Sequence, residues 1–167
     1  SMTSHSMYLA LLASAFLLAA SPVRTVAGEP ILTLEADRDG NGTIETQTED
    51  LAWLDSLPQT SFKTSTPWHE GVVEFSGVSL KDYLAATKAN GKTIRLTALN
   101  DYMVEGDIAT LIEGEALLAT RTNGEPMSLE DKGPVFVIFP FDSRPELQHQ
   151  TFYSRAVWQL AKIEVVQ

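Results

Sequence analysis

The stretch Leu117 to Pro140, LLATRTNGEPMSLEDKGPVFVIFP, decides how this chain folds. Glu115 to Thr120 reads as a strand. Asn123-Gly124 supplies the two positive-φ residues that a two-residue hairpin turn requires. Polar residues follow as far as Lys132, and Gly133-Pro134 forms a corner. Val135 to Phe139 is apolar at every position, which predicts a strand covered on both faces and central in a sheet.

Outward from this hairpin the pattern stays strand-rich. Upstream, Thr93 to Leu99 alternates strictly, with Ile94, Leu96 and Ala98 on one face. Asn100-Asp101 turns it into Tyr102 to Glu105. Ile108 to Ile112 is expected to make a helical turn. Ser79 to Asn90 is the clearest helix: Ser79 is its N-cap, Asp82 follows three residues later, and Asn90-Gly91 is expected to supply the left-handed closing residue. Further upstream lie strands at Ile31 to Ala36, Thr43 to Gln47, Thr60 to Thr66 and Val72 to Phe75, with a short helix over Thr48 to Leu57 ending at Pro58. Downstream, Pro145 to Gln150 is loop or one helical turn, and Ala156 to Val166 forms a final strand. No repeat and no linker divides the chain. The expected architecture is α+β, a single-domain mixed β-sheet fold with a few short helices, over residues 28–167.

The chain has 167 residues, 44% hydrophobic and 20% charged, which suits one domain with a real core. Its net charge is −10, and its twelve basic residues form no cluster. That excludes nucleic acid as a partner, because phosphate contacts need grouped Lys and Arg. There is no cysteine. Disulfides, zinc–thiolate sites and a cysteine nucleophile are therefore excluded.

Met7 to Ala20, MYLALLASAFLLAA, is an uncharged apolar run of signal-peptide length and short for a membrane span. Thr25-Val26-Ala27 offers a small-x-Ala cleavage site. Residues 1–27 are expected to be a cleaved signal peptide, with Ser1-Met2 a tag remnant and Met7 the natural start. The n-region departs from the usual pattern, with His5 but no Lys or Arg. The alternative is a buried helix. Export makes the protein periplasmic or secreted, with no stable membrane anchor after cleavage.

Three segments resemble the sulfite oxidase-type molybdopterin-binding domain. Phe75-Ser76-Gly77-Val78-Ser79-Leu80 looks like the family's W-x-G-x-x-L. Leu117-Leu118-Ala119, Asn123-Gly124-Glu125-Pro126-Met127 and Gly133-Pro134 are similar to its LLA…NGEPL…GGP. Trp158-Gln159-Leu160 and Ile163-Glu164-Val165 look like its terminal strand. The likeness runs from about Thr60 to Val166. It is nearest to a small exported subgroup that shares TSTPW (Thr64 to Trp68), ALNDY (Ala98 to Tyr102) and YSRxxWQL (Tyr153 to Leu160). Each motif also has a fold-making reading: Asn-Gly for the turn, Gly77 and Gly133 for turns, Trp158 for the core.

The resemblance implies a molybdenum held by a cysteine thiolate and a pterin phosphate held by basic and amide groups. Counting back from Phe75 puts Ser65 at the cysteine's position. A serine hydroxyl is a hard, high-pKa ligand and no substitute for a soft thiolate. Arg121, Arg144 and Arg155 are the scattered candidates for an anion. No catalytic residue is assigned, and no cofactor is expected. The resembling fold implies a cleft lined by Ser65, Trp68, His69, Asn100, Asp101 and Arg155, with Tyr153 as a hydrogen-bonding wall. Arg144 and Arg155 are read either as anion-binding groups or as members of structural salt bridges, and His69 as a rim residue or an ordinary surface or capping histidine.

The leading expectation is a non-catalytic periplasmic binding or sensing module for a small anionic ligand or a partner protein. The alternative is a pterin–molybdenum (molybdopterin) oxidoreductase with an atypical or absent protein ligand. A purely structural partner subunit would instead have a filled cleft and an exposed apolar patch. Ser65, His69 and Asp101 lack the nucleophile elbow of a hydrolase. Asp37 to Glu45 resembles the start of a calcium loop, with oxygens at 37, 39 and 41 and Ile44 pointing inward. Its twelfth position is Thr48 rather than Glu, and the competing reading is a β-turn.

Overall fold

The computed structural model describes residues 28–167, so the predicted signal segment lies outside the described residues. Strands β1 (Leu32–Ala36), β2 (Glu45–Glu49), β5 (Thr93–Ala98), β6 (Met103–Asp107) and β10 (Leu160–Val166) form one sheet in the order β2-β1-β10-β5-β6. β1 and β10 are parallel, and the other pairs are antiparallel. The second sheet runs β3 (Thr60–Ser65), β4 (Val72–Ser79), β7 (Leu117–Thr122), β8 (Glu125–Pro126), with β9 (Phe136–Ile138) also on β7. Four short helices connect them: α1 (Leu51–Asp55), α2 (Leu80–Thr87), α3 (Ile108–Glu113) and α4 (Gln150–Tyr153). The expected α+β, strand-rich single-domain fold is what forms.

Alternation explains the first sheet. Leu32, Leu34 and Ala36 of β1 are buried, as are Ile94, Leu96 and Ala98 of β5, while their neighbours are partly exposed. These side chains join those of β4, β7 and β9 in one continuous core. Asn123 (φ 50°) and Gly124 (φ 82°) make the two-residue turn as the sequence predicts, pairing Thr122 with Glu125.

The structure departs from the sequence reading where a backbone bond outweighs a pattern. β9 is buried but is not the centre of a ladder. It pairs with β7 on one side, and on the other Val137 N–H donates to Val157 O. Leu160 N–H also donates to Val135 O, so the segment welds the two sheets together. β2 starts at Glu45 rather than Thr43, because the 37–42 turn extends further. Asp37 Oδ2 accepts from Gly42 N–H at 2.7 Å and Asn41 Oδ1 from Thr43 N–H at 2.8 Å. Ile44 is 59% exposed rather than inward, so the loop is the side-chain-closed turn of the competing reading and does not have the geometry of a calcium loop. Among the described residues no three His, Asp or Glu side chains converge on a metal position.

α1 begins only after Asp50, whose Oδ1 accepts from Trp53 N–H. α2 is capped by Ser79 as predicted, but it closes on Lys88 (φ 56°) instead of Asn90-Gly91. Gly91 serves space rather than φ: a Cβ there would lie 2.6 Å from Val166 O. Gly77 is likewise no turn. It sits at a bulge inside β4, where a Cβ would come within 2.1 Å of Leu118 O. The last strand starts at Leu160, since Gln159 takes φ 52° and breaks the extended run.

One buried charge site escaped the sequence reading. Glu49, 3% exposed, ends β2 and accepts a short hydrogen bond from the fully buried Tyr83 hydroxyl of α2. Its other oxygen, Oε2, has no hydrogen-bond partner. Burial pushes its pKa above the ordinary glutamate value, against the lowering effect of the Tyr83 bond.

Candidate functional site

The candidate site is a cleft of about 650 Å³. Three segments meet there. Pro67 and Trp68 come from the loop after β3, Ala98, Asn100 and Tyr102 from the end of β5 and the turn into β6, and Gln150, Tyr153, Ser154, Ala156, Val157 and Trp158 from α4 and the loop before β10. These are the TSTPW, ALNDY and YSRxxWQL stretches, distant in sequence and brought together by the sheets.

Packing fixes the aromatic walls. Trp68 meets Tyr153 edge-on, with centroids 6.0 Å apart and planes at 86°, and Trp158 at 5.8 Å and 64°. Behind it stand Phe136 and Phe141. Tyr102 OH donates to Ser154 O at 3.0 Å, tying the β5–β6 turn to the end of α4. Tyr102 is 48% exposed and Trp158 38%, so both rings offer open faces. Trp158 is therefore a wall and not the core residue expected, because Gln159 breaks the strand just after it. No charged side chain lines the cleft.

Of the six predicted cleft residues, only Trp68 and Asn100 line it. Asn100 Oδ1 accepts from Tyr102 N–H and shapes the turn. Asp101 occupies that turn's positive-φ position (69°), exposed and away from the cavity. His69 turns inward: its Nδ1 lies 2.7 Å from Thr66 Oγ1, and its ring sits against Phe75 and Phe136. Burial, with the Lys132 charge second, lowers its pKa and keeps the ring neutral at pH 7. Arg155 lays its side chain over Gly106 and donates to Thr151 O at 2.7 Å, outside the cavity.

Ser65 does not reach the cleft either. Its Oγ donates to Asp142 Oδ1 at 2.6 Å and its N–H to Asp142 Oδ2 at 2.7 Å. Those two bonds hold the Asp142 carboxyl below its usual range. The other candidate arginines are committed to carboxylates: Arg144 to Glu113, Glu115 and Glu146, and Arg121 to Asp55 in a two-pronged pair at 2.6 and 2.9 Å. Arg155 has no carboxylate within salt-bridge distance among the described residues.

Sequence reasoning missed Tyr102 and Trp158 as walls. The signal was present, because both lie in the segments quoted for the resemblance.

The family model described as the oxidoreductase molybdopterin-binding domain matches residues 41–142. The chain belongs to that family. No curated protein matches it. Set against what the resemblance implies for this molybdopterin-binding domain family, the donor set here does not fit the cofactor. The chain has no thiolate. Both donors of Ser65 are already held by an anion of the chain itself, and an acidic Asp142 at that place repels further negative charge. The cleft presents no cation to a phosphate.

Proposed function

We propose that this member of the molybdopterin-binding domain family is an exported binding module that does no metal–thiolate chemistry. The observation that carries the reading is the cleft itself. It is open and aromatic-walled, with the amides of Asn100 and Gln150 at its edge and no ionised lining group. Clefts of this size and make-up hold small molecules by apolar contact and a few oriented polar groups. Export rests on the apolar run and small-x-Ala site within residues 1–27. The anionic ligand expected from the sequence loses its motive, because the arginines meant to hold it are paired or turned elsewhere.

Family membership favours a second reading, an oxidoreductase that holds a pterin–molybdenum group with no protein ligand. Elemental analysis and absorbance spectra of protein purified from its native source decide between them. The binding-module reading expects a colourless protein without stoichiometric molybdenum. One equivalent of molybdenum would overturn it in favour of the oxidoreductase.

A further inference from the structure

We infer that the cleft recognises an organic cation, a quaternary ammonium group, through its aromatic walls. The inference rests on the binding-module reading above and names the ligand class of the same site.

Ring geometry at the Trp68 corner favours a rounded group over a flat one. A planar heterocycle is best held by stacking on ring faces, and a parallel pair of walls would sandwich it. Here the walls form corners: Tyr153 stands at 86° to Trp68 and Trp158 at 64° to it. A corner of perpendicular rings takes a compact, rounded group, either a branched alkyl or a tetra-alkylammonium.

Electrostatics chooses between those two. The faces of Trp and Tyr rings carry negative partial charge, and a cation within about 6 Å of their centroids is attracted. No Lys or Arg lines the cavity to repel it, and the chain's net charge of −10 concentrates cations around the protein. Trp158 already shows the preference, since Lys132 Nζ lies 5.5 Å from its ring centroid. Lys132 is not a lining residue, so the cavity side of the cleft is free of its ammonium group. The cavity exceeds a lone tetramethylammonium ion, and the amide of Gln150 lies in its lining. The ammonium would thus be one end of a larger ligand whose polar end meets Gln150 and Asn100.

Tryptophan fluorescence tests this directly, because Trp68 and Trp158 stand in the cleft. The protein is titrated with tetramethylammonium, with choline, with 3,3-dimethyl-1-butanol (choline's uncharged isostere) and with inorganic phosphate, at constant ionic strength. The expected result is saturable quenching by both ammonium probes, with the neutral isostere about tenfold weaker and phosphate silent. Trp158→Ala is expected to weaken the ammonium probes at least as much. Lys132→Gln is expected to tighten them, since it removes the like charge 5.5 Å from the Trp158 ring. Equal binding of the neutral isostere, or binding of phosphate that Lys132→Gln weakens, overturns the cation while leaving a ligand-binding cleft in place. Failure of every probe to bind overturns the cation, while the binding-module reading stands or falls separately on the molybdenum content of the native protein.

Discussion

Replacing Tyr83 by Phe should expose how Glu49 is kept in the interior. Both side chains are essentially inaccessible, at 0% and 3% exposure. The Tyr83 hydroxyl donates to Glu49 Oε1, Gln47 approaches that oxygen only at 3.4 Å, and Oε2 has no partner. Phe keeps the ring and its edge contact with Trp53 at 6.2 Å, so packing is preserved and one hydrogen bond to a carboxylate is lost. Such bonds contribute about 1.5–3 kcal/mol, and the carboxylate is left with no other close donor. The expected loss at pH 7 is therefore about 2–3 kcal/mol, a large part of a domain's total of roughly 5–15.

The sign with pH follows from the direction of the Glu49 shift. Its folded pKa is raised, so between the ordinary glutamate value of about 4.3 and the folded value the native state holds more protons than the unfolded one. Stability contributed by Glu49 is fully present below that window and is lost as pH rises through it. The Tyr83→Phe loss should accordingly shrink as pH falls through the raised Glu49 value, because a protonated carboxyl accepts a weaker hydrogen bond than a carboxylate. Glu49→Gln should flatten the dependence. Urea denaturation followed by circular dichroism at pH 4, 5.5 and 7 measures all three. A Tyr83→Phe loss that is below about 0.5 kcal/mol, or the same at pH 4 and 7, would refute an ionised Glu49 held by that hydroxyl.

Three further outcomes are expected. Gly77→Ala sets a Cβ 2.1 Å from Leu118 O within the β4–β7 pairing, so it should cost at least about 3 kcal/mol or prevent folding; thermal unfolding near wild type would show that the bulge relaxes. Ser79→Ala removes the bond from Asp82 N–H at the start of α2 and should lower stability by about 1 kcal/mol in the same urea assay. Ser65→Cys restores a thiol at the position the family's pattern assigns to the metal ligand. Expressed in a host that makes the cofactor, it should still purify without stoichiometric molybdenum, because Asp142 faces that position and no cation lines the cleft; one equivalent by elemental analysis would refute this.

Elements whose residues answer to their immediate neighbours were legible in the chain. The alternation of Thr93 to Leu99, the Ser79 cap and the Asn123-Gly124 turn are local, and each forms where its pattern places it. Features that depend on distant partners were not. Val135 to Phe139 is apolar whether it lies mid-sheet or between two sheets, and only its bonds to Val157 and Leu160 decide for the second. Gly77 carries no local mark of Leu118 beside it. The burial of Glu49 depends on Tyr83, 34 residues away.

The site divides along the same line. The sequence by itself determined the fold class, the family likeness and the absence of any thiol, because these depend on residue type and order. It also contained the three stretches that build the cleft. Only the tertiary structure decided which side chains of those stretches face one another. It turned His69 inward against Phe75 and Phe136, bound Ser65 to Asp142, and laid Arg155 over Gly106. The physical reason is directional: a side chain's orientation depends on strand twist, on breaks such as the φ of 52° at Gln159, and on partners tens of residues away. What remained to face the cavity was chiefly the rings of Trp68, Tyr102, Tyr153 and Trp158, and no local pattern records the angles at which they meet.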